Sequence, residues 1–292
     1  IDKLISSEIA DGNELIDSIN NLGHLYYKRA KYQQAEDLYL KALNHSILKY
    51  GDFHHFTAAI YLNLGELFRH TCQWDKSLSH TEKALEIREK IFGSTHPSTA
   101  NLYNNISMLY YDMGQLDKAL SFALKALEIR TAYLGPHHPQ TLTVINNLAS
   151  VFRKMGDWDK AIEYQKQALE GRMAVFSENH PAVSYTLNQL AVLYLEKKEF
   201  DKARPLLEKA YQNQIDNPGI NHPDTLSTMS NLSLCYEQEN QIDKTIAILE
   251  KANEAWLMSE AAYTPSHYEF LNNFAISLFN HDKTDELQAH LL

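Results

Sequence analysis

An asparagine recurs every 42 residues along this chain, and this period constrains the fold more than any other feature of the sequence. It is found at Asn21, Asn63, Asn105, Asn147, Asn231 and Asn273, and Gln189 fills the one remaining slot. A large apolar residue follows each time, and then a glycine, serine or alanine. Self-similarity at such a period is typical of repeat proteins, in which each repeat packs on its neighbours. The sequence therefore predicts an array of about seven repeats.

Each period contains two stretches with helical periodicity. In the first repeat, Ile19, Leu22 and Tyr26 lie at i, i+3 and i+7, and Ala35 and Tyr39 follow at i and i+4. One-sided apolar stripes of this kind predict amphipathic helices. We expect first helices near 14–29, 55–72, 97–113, 139–155, 181–197, 223–239 and 266–281. We expect second helices near 33–49, 75–91, 117–133, 159–175, 201–216, 243–258 and 283–292.

Residues that begin and end helices recur with the same period. Aspartate stands just before each predicted second helix after the first repeat, where we expect it to cap free N–H groups: Asp75, Asp117, Asp159, Asp201, Asp243 and Asp285. Glycine ends four second helices and suits a left-handed C-cap: Gly51, Gly93, Gly135 and Gly219. A His-Pro pair follows at 96–97, 138–139, 180–181 and 222–223, and proline is favoured at a first helical position.

The fold class predicted from these patterns is all-α. We expect residues 1–292 to form a single array, with residues 1–11 as the tail of a preceding second helix and residues 283–292 as a truncated last helix. Both ends then fall within a repeat, which indicates a fragment of a longer protein. The two cysteines, Cys72 and Cys235, lie too far apart in such an array to form a disulfide. Sparse cysteine favours a reducing compartment, and we expect a cytoplasmic protein.

Charge and composition limit the classes of partner. The formal charge is −10, with 44% hydrophobic and 22% charged residues. An acidic chain is a poor match for nucleic acid or an anionic membrane, both of which need a dense basic surface. No apolar run approaches the length of roughly 18 residues that would indicate a transmembrane helix. We therefore expect neither nucleic acid nor a membrane as the main partner.

The repeat resembles the tetratricopeptide repeat in the 42-residue form of kinesin light chains. The resemblance rests on segments such as Asn146–Ala149 (NNLA), Lys154–Ala161 (KMGDWDKA), Gln167–Leu169 (QAL) and His180-Pro181. It implies a right-handed superhelical α-solenoid of antiparallel helix pairs, whose first helices line a concave groove. It also implies a scaffold for protein–protein interaction, which binds a peptide segment or a partner protein in that groove.

The asparagine ladder is the first candidate for the peptide-binding site. If the groove positions of the family carry over, amide groups at the recurring position and the one before it face a bound peptide backbone. These residues are Asn63, Asn105 and Asn147, with Asn104, Asn146 and Asn188 at the preceding position. The alternative is that some of them bond neighbouring helices and never meet a ligand.

A broken basic strip is the second candidate. The same two positions of successive repeats hold Arg69 and His70, then Tyr111 and Asp112, then Arg153 and Lys154. Arginine favours bidentate contact with carboxylates, so we expect a ligand with acidic residues toward the N-terminal half of the groove. The alternative is a solvated charged face.

The C-terminal half of the same surface carries the opposite charge. Glu196, Glu237 and Glu269 lie there, so this end should prefer basic ligands or none.

We expect no enzymatic activity, cofactor or metal. The sequence contains no glycine-rich phosphate-binding loop, no HExxH motif of zinc hydrolases and no nucleophile-elbow motif. Most histidines belong to the His-Pro turns, which successive repeats should hold about 20 Å apart. Two roles fit an array of this type besides a recruiting scaffold. One is a sensor or regulatory arm of a larger signalling protein, for example one attached to an ATPase switch, and the other is a bacterial effector.

Overall fold

A computed structural model describes residues 12–258, and these fold into helices arranged in pairs. We number the repeats from the N-terminus. The first helices of repeats one to six are α1 (Gly12–Lys28), α3 (His55–His70), α5 (Pro97–Asp112), α7 (Pro139–Met155), α9 (Pro181–Glu196) and α11 (Pro223–Gln238). The second helices are α2 (Tyr32–Tyr50), α4 (Trp74–Phe92), α6 (Leu116–Leu134), α8 (Trp158–Val175), α10 (Phe200–Gln214) and α12 (Ile242–Leu257). The first six predicted helix pairs are thus confirmed to within two residues at each end, and the seventh pair, 266–281 and 283–292, lies outside the described residues.

The chain divides into two compact units, with the boundary between Pro136 and His137. The N-terminal unit contains α1–α6 and the C-terminal unit contains α7–α12. The prediction of a single array stays a prediction, and its two end segments, 1–11 and 283–292, lie outside the described residues.

In each unit the apolar stripes meet between neighbouring helices. Tyr39 of α2 and Leu64 of α3 are buried in one N-terminal cluster. Val183 and Leu187 of α9 pack with Ala210 of α10 in the C-terminal unit. Burial of these side chains removes apolar area from water, which is the main favourable term in folding.

Five first helices, α3, α5, α7, α9 and α11, begin at a histidine whose ring caps the helix. The Nδ1 atoms of five such histidines accept the backbone N–H two residues on, at 3.1–3.3 Å: His54, His96, His138, His180 and His222. The proline after four of them occupies the first helical position, as predicted. An imidazole accepts at Nδ1 only when that nitrogen is unprotonated, so these caps require the neutral ring with its proton on Nε2.

The glycines that end second helices adopt a different conformation from the predicted one. Gly51 and Gly93 have φ of 82° and 88°, which is positive as expected, but their ψ values of 179° and 162° are extended. A left-handed C-cap needs ψ near +47°. The observed region is essentially restricted to glycine, and it turns the chain toward the next repeat. Thr57 and Thr99 then donate to the carbonyls of these glycines, which ties the turn to the following helix.

Five of the six recurring aspartates lie inside the second helices and are not their caps, while Asp285 lies outside the described residues. Asp75 and Asp117 are the second residues of α4 and α6, and the capping residues Gln73 and Gln115 make no side-chain cap bond. Asp157 caps α8 through the N–H of Lys160. The periodic carboxylate therefore acts through its charge at the positive helix end.

Small residues bring the two helices of a pair together. In repeat two, Ser77 Oγ of α4 donates to the carbonyl of Gly65 in α3 at 2.7 Å. In repeat three the direction is reversed, because Ser107 of α5 donates to the carbonyl of Ala119 in α6, also at 2.7 Å. A larger residue at either contact would push the helices apart.

Candidate functional site

The predicted site residues lie on one side of the first helices, which we call the first-helix face. In α3 the buried stripe includes Leu64, Leu67 and Phe68, while Asn63 and Arg69 are only partly buried. The same positions in the other first helices extend this face within each unit. The helical period thus places the asparagine ladder and the basic strip on the same side of the helices.

The ladder contains two kinds of asparagine. Those at the recurring position are partly buried: Asn63, Asn105 and Asn147. Those at the preceding position are buried, with 6–9% of their surface exposed: Asn104, Asn146 and Asn188. The second group is therefore less accessible to a ligand than predicted.

Three of these amides bond neighbouring helices. Asn63 Nδ2 donates to Asn20 Oδ1 of the preceding first helix at 2.8 Å. Asn188 Oδ1 accepts from Asn231 Nδ2 of the following first helix at 3.1 Å. Asn146 Oδ1 accepts from a second-helix residue, Gln165 Nε2, at 3.1 Å. The alternative role, bonding between helices, applies to these three asparagines, and a ligand-binding role for the ladder stays a prediction.

Arg69 is held in place by two carboxylates. Its Nη1 lies 2.8 Å from Asp112 Oδ2 of α5, and its Nη2 lies 2.9 Å from Glu66 Oε1 of its own helix. The hydrogen bonds that Arg69 donates to Glu66 raise its pKa above the ordinary value, and the bond that it donates to Asp112 adds to this. An acidic ligand at Arg69 has to compete with both carboxylates.

Arg153 is paired in the same way in the C-terminal unit. Its Nε and Nη2 lie 2.6–3.0 Å from the carboxylate oxygens of Glu196 in α9. This is the bidentate geometry that makes arginine–carboxylate pairs specific. Lys154, at the next position, is exposed.

A common rule relates these contacts. Arg69 meets Asp112, and Arg153 meets Glu196, 43 residues further on. The Tyr27 and His70 rings, which occupy the same two positions, lie 5.3 Å apart edge to face. A residue in the last turn of one first helix therefore contacts the residue 43 positions further on, in the last turn of the next first helix. We call these contacts the junction pairs.

The junction pairs show that residues of the basic strip contact neighbouring helices. Arg69, His70 and Arg153 each contact a neighbouring first helix, while Tyr111, the residue of repeat three in the strip, is half-buried. Residues of the strip thus hold adjacent helices together, and their availability to a ligand stays a prediction.

Sequence reasoning missed the partners of these residues. Asn20 and Gln165 were not named from the sequence, while Asp112 and Glu196 were placed on this surface but not paired with Arg69 and Arg153. For all of these pairs but Asn146 and Gln165, the signal was present as complementary residues 43 positions apart, one more than the repeat. In the C-terminal unit, a small cleft beside Arg153 is lined by Ser150, Gln165 and Gln189 and brings three polar side chains together.

Residues 12–258 contain no group of three histidine, cysteine, aspartate or glutamate side chains placed to hold a metal ion. Across the same residues, the helices are too short or too polar to cross a membrane.

Comparison with known proteins gives matches to one family of repeats. The tetratricopeptide-repeat profile matches residues 14–90, 56–132, 98–174, 140–216 and 182–256. No curated protein matches the chain in sequence.

Three of the similar solved structures show the range of proteins with this fold. BtubC (BKLC) from P. vanneervenii is 20% identical with a TM-score of 0.65, over 88% of this chain and 94% of that one. A putative kinesin light chain from Podosopora anserina is 21% identical with a TM-score of 0.60, over 69% and 96%. A Signal Transduction ATPase with Numerous Domains from Pyrococcus horikoshii, which has a tetratricopeptide repeat sensor, is 20% identical with a TM-score of 0.74, over 94% and 41%. At these identities the likeness concerns the fold.

Proposed function

Because the chain belongs to the tetratricopeptide-repeat family, we propose that it binds a peptide segment or a partner protein on its first-helix face. Repeats of this family are generally scaffolds for protein interaction, and the fold is typically non-catalytic. One observation carries the proposal. A half-buried amide recurs on this face, at Asn63 and Asn105 in the N-terminal unit and at Asn147, Gln189 and Asn231 in the C-terminal unit.

The chemistry of an amide row suits a peptide backbone. Each primary amide offers donors and an acceptor, and an extended peptide presents both in regular order. The bonds from Asn63 to Asn20 and from Asn231 to Asn188 also fix two of these amides before any ligand arrives. Pre-oriented groups lose less conformational entropy on binding, which strengthens the complex.

A peptide-display selection tests the proposal. The purified chain is used to select from a random library of 12-residue peptides, and the enriched peptides are measured by fluorescence anisotropy. We expect Asn105→Arg and Asn147→Arg to weaken binding at least tenfold, because a bulky cation replaces an amide on the face. Asn44→Arg, an exposed second-helix site, is the matched control and should leave binding unchanged. If no peptide is enriched, the proposal fails.

The proposal extends to a ligand with acidic residues toward Arg69 and Arg153. Arginine's fixed fork of donors supports this preference, while the carboxylates already bound to both residues oppose it. Arg69→Glu and Arg153→Glu should abolish binding of acidic peptides from the same library. Unchanged binding of those peptides by both variants would refute this part alone.

A sensor or regulatory arm is the second candidate function. The observation in its favour is the likeness to the Pyrococcus horikoshii protein, whose repeats are described as a sensor. The encoding gene decides between the two roles, since a nucleotide-binding domain on the same polypeptide favours the sensor. Two sparse cysteines, both free, support our placement of this role in the reducing cytoplasm.

A further inference from the structure

Two neighbouring first helices of the C-terminal unit, α9 and α11, carry only acidic charges. Helices α9 and α11 contain no lysine, arginine or histidine, but they carry Glu196, Asp224 and Glu237. Arg153 of α7 compensates Glu196 through its bidentate pair. The remaining charge on these two helices is negative.

An apolar patch lies on the same two helices. The bond between Asn188 and Asn231 shows that α9 and α11 are adjacent at this level. Val192 and Leu195 follow Asn188 at i+4 and i+7, and Leu234 follows Asn231 at i+3, so all three share the side of the amide pair. Leu234 is 44% exposed, and Val192 and Leu195 are partly exposed. The equivalents of Val192 and Leu234 in repeats one and two are His24 and Glu66.

A carboxylate borders the apolar surface. Glu237 lies at i+3 from Leu234, and residues with this spacing are neighbours on a helix surface. Glu237 is partly buried beside the leucine. We call Val192, Leu195, Leu234 and Glu237 the α9–α11 patch.

We propose that the α9–α11 patch binds an extended segment of a partner protein that combines aliphatic side chains with lysine or arginine. The inference rests on the proposed function and gives it a ligand chemistry. The aliphatic side chains cover Val192, Leu195 and Leu234, and the basic residue pairs with Glu237. Half-buried Asn231, one turn away, offers its amide group to the segment's backbone.

Charge complementarity selects this ligand over an acidic one. A lysine or arginine near Glu237 gains Coulomb attraction at the edge of an apolar surface, where water screens it less than in bulk. An acidic segment meets repulsion there, since α9 and α11 supply no cation. Burial of a leucine-sized side chain supplies the larger share of affinity.

The peptide-display selection described above tests the composition of the ligand. We expect enriched 12-residue peptides to carry at least two aliphatic residues and at least one lysine or arginine. Leu234→Ser should weaken their binding about tenfold or more, as expected for the loss of a buried leucine contact. Glu237→Lys should weaken binding of the basic peptides and favour acidic counterparts of the same length.

Matched controls separate the patch from general effects of the substitutions. Leu40 has the same exposed fraction as Leu234, 44%, but lies on second helix α2, so Leu40→Ser should leave affinity unchanged. Glu170→Lys, an exposed site on α8, controls for net charge. Circular dichroism verifies that each variant is folded.

A photo-crosslink identifies what covers the patch. In the full chain, Leu234→p-benzoylphenylalanine should crosslink to a selected peptide. A crosslink that goes to a second copy of the chain, or to residues 259–292, in the presence of excess peptide overturns the inference. Enriched peptides of another composition that ignore Leu234→Ser and Glu237→Lys overturn it too, while leaving the proposed function intact. The absence of any enriched peptide overturns both.

Discussion

Replacing Gly65 by alanine should destabilise repeat two, although alanine is the better helix former. A Cβ atom at this position would lie 2.4 Å from Thr81 Oγ1, a distance that real Cβ contacts essentially never show. Thr81 Cβ would be 3.5 Å away, so the hydroxyl alone is in the way. Thr81 must therefore rotate, and it gives up the 2.8 Å bond from its hydroxyl to the carbonyl of Ser77.

The expected magnitude follows from two opposing terms. Alanine in place of glycine inside a helix contributes about 1 kcal/mol of stability. Leaving a buried hydroxyl without its partner costs about 1–3 kcal/mol, and Thr81 is only 4% exposed. The net effect of Gly65→Ala is then a destabilisation of up to about 2 kcal/mol.

A second substitution should reverse the sign. In the Thr81→Ala background the added methyl group meets no hydroxyl, so Gly65→Ala should stabilise the protein by up to about 1 kcal/mol. Repeat three already has this combination, because Ser107 stands at the position of Gly65 and Ala123 at the position of Thr81. A residue larger than glycine is tolerated there opposite alanine. The double-mutant cycle thus isolates one contact.

Urea unfolding measured by circular dichroism gives the global free energies for the four proteins. Repeat arrays often unfold in steps, so amide hydrogen exchange of peptides from α3 and α4 should accompany it. The steric argument is refuted if Gly65→Ala stabilises the wild-type background, or if it destabilises both backgrounds equally. A sign change between backgrounds supports it.

Three further predictions concern titration, reactivity and the junction pairs. Burial lowers the pKa of His54 from 6.5, and His55 lowers it further, so the unfolded chain binds the proton more readily. The stability due to His54 is full above pH 6.5 and is lost as pH falls, and His54→Asn should flatten the decline measured between pH 8 and 5. Burial raises the pKa of Cys235 to about 12, so a thiol reagent at pH 8 should label exposed Cys72 at once and Cys235 only after unfolding. A double-mutant cycle on Arg153 and Glu196 should give a coupling of about 0.5 kcal/mol that shrinks in high salt, because the pair is partly exposed.

Helix positions were predictable from the sequence because burial repeats with the helical period. The predicted first helix 97–113 and the observed Pro97–Asp112 differ by one residue, since proline and the buried stripe both mark it. The glycine at position 93 was predicted to have positive φ, but its ψ depends on where the next helix packs. The ψ angle of this glycine is set by packing between helices, and no local sequence pattern indicates it.

The side of the first helices that carries the candidate site was predictable from the sequence. The contacts of its individual side chains were not. The helical period placed Asn146 and Arg153, which are seven residues apart, on the same side of α7. The 42-residue period carried no information on which side chains would contact the next helix, because that contact advances by 43 residues. Buried Gln165, which bonds Asn146, was missed because it lies on a second helix and has no recurring equivalent.

The junction pairs have a consequence for how such a chain grows or is engineered. A tandem copy of repeat two would set Arg69 of one copy against His70 of the next, in place of Asp112. Each repeat therefore carries a side chain that is complementary to one on the next repeat. The order of the repeats along the chain is specified by these pairs. Gene duplication alone would produce mismatched neighbours until one half of the pair changed, and a shuffled array should be weakest at the contacts where Tyr27, Arg69 or Arg153 has lost its present neighbour.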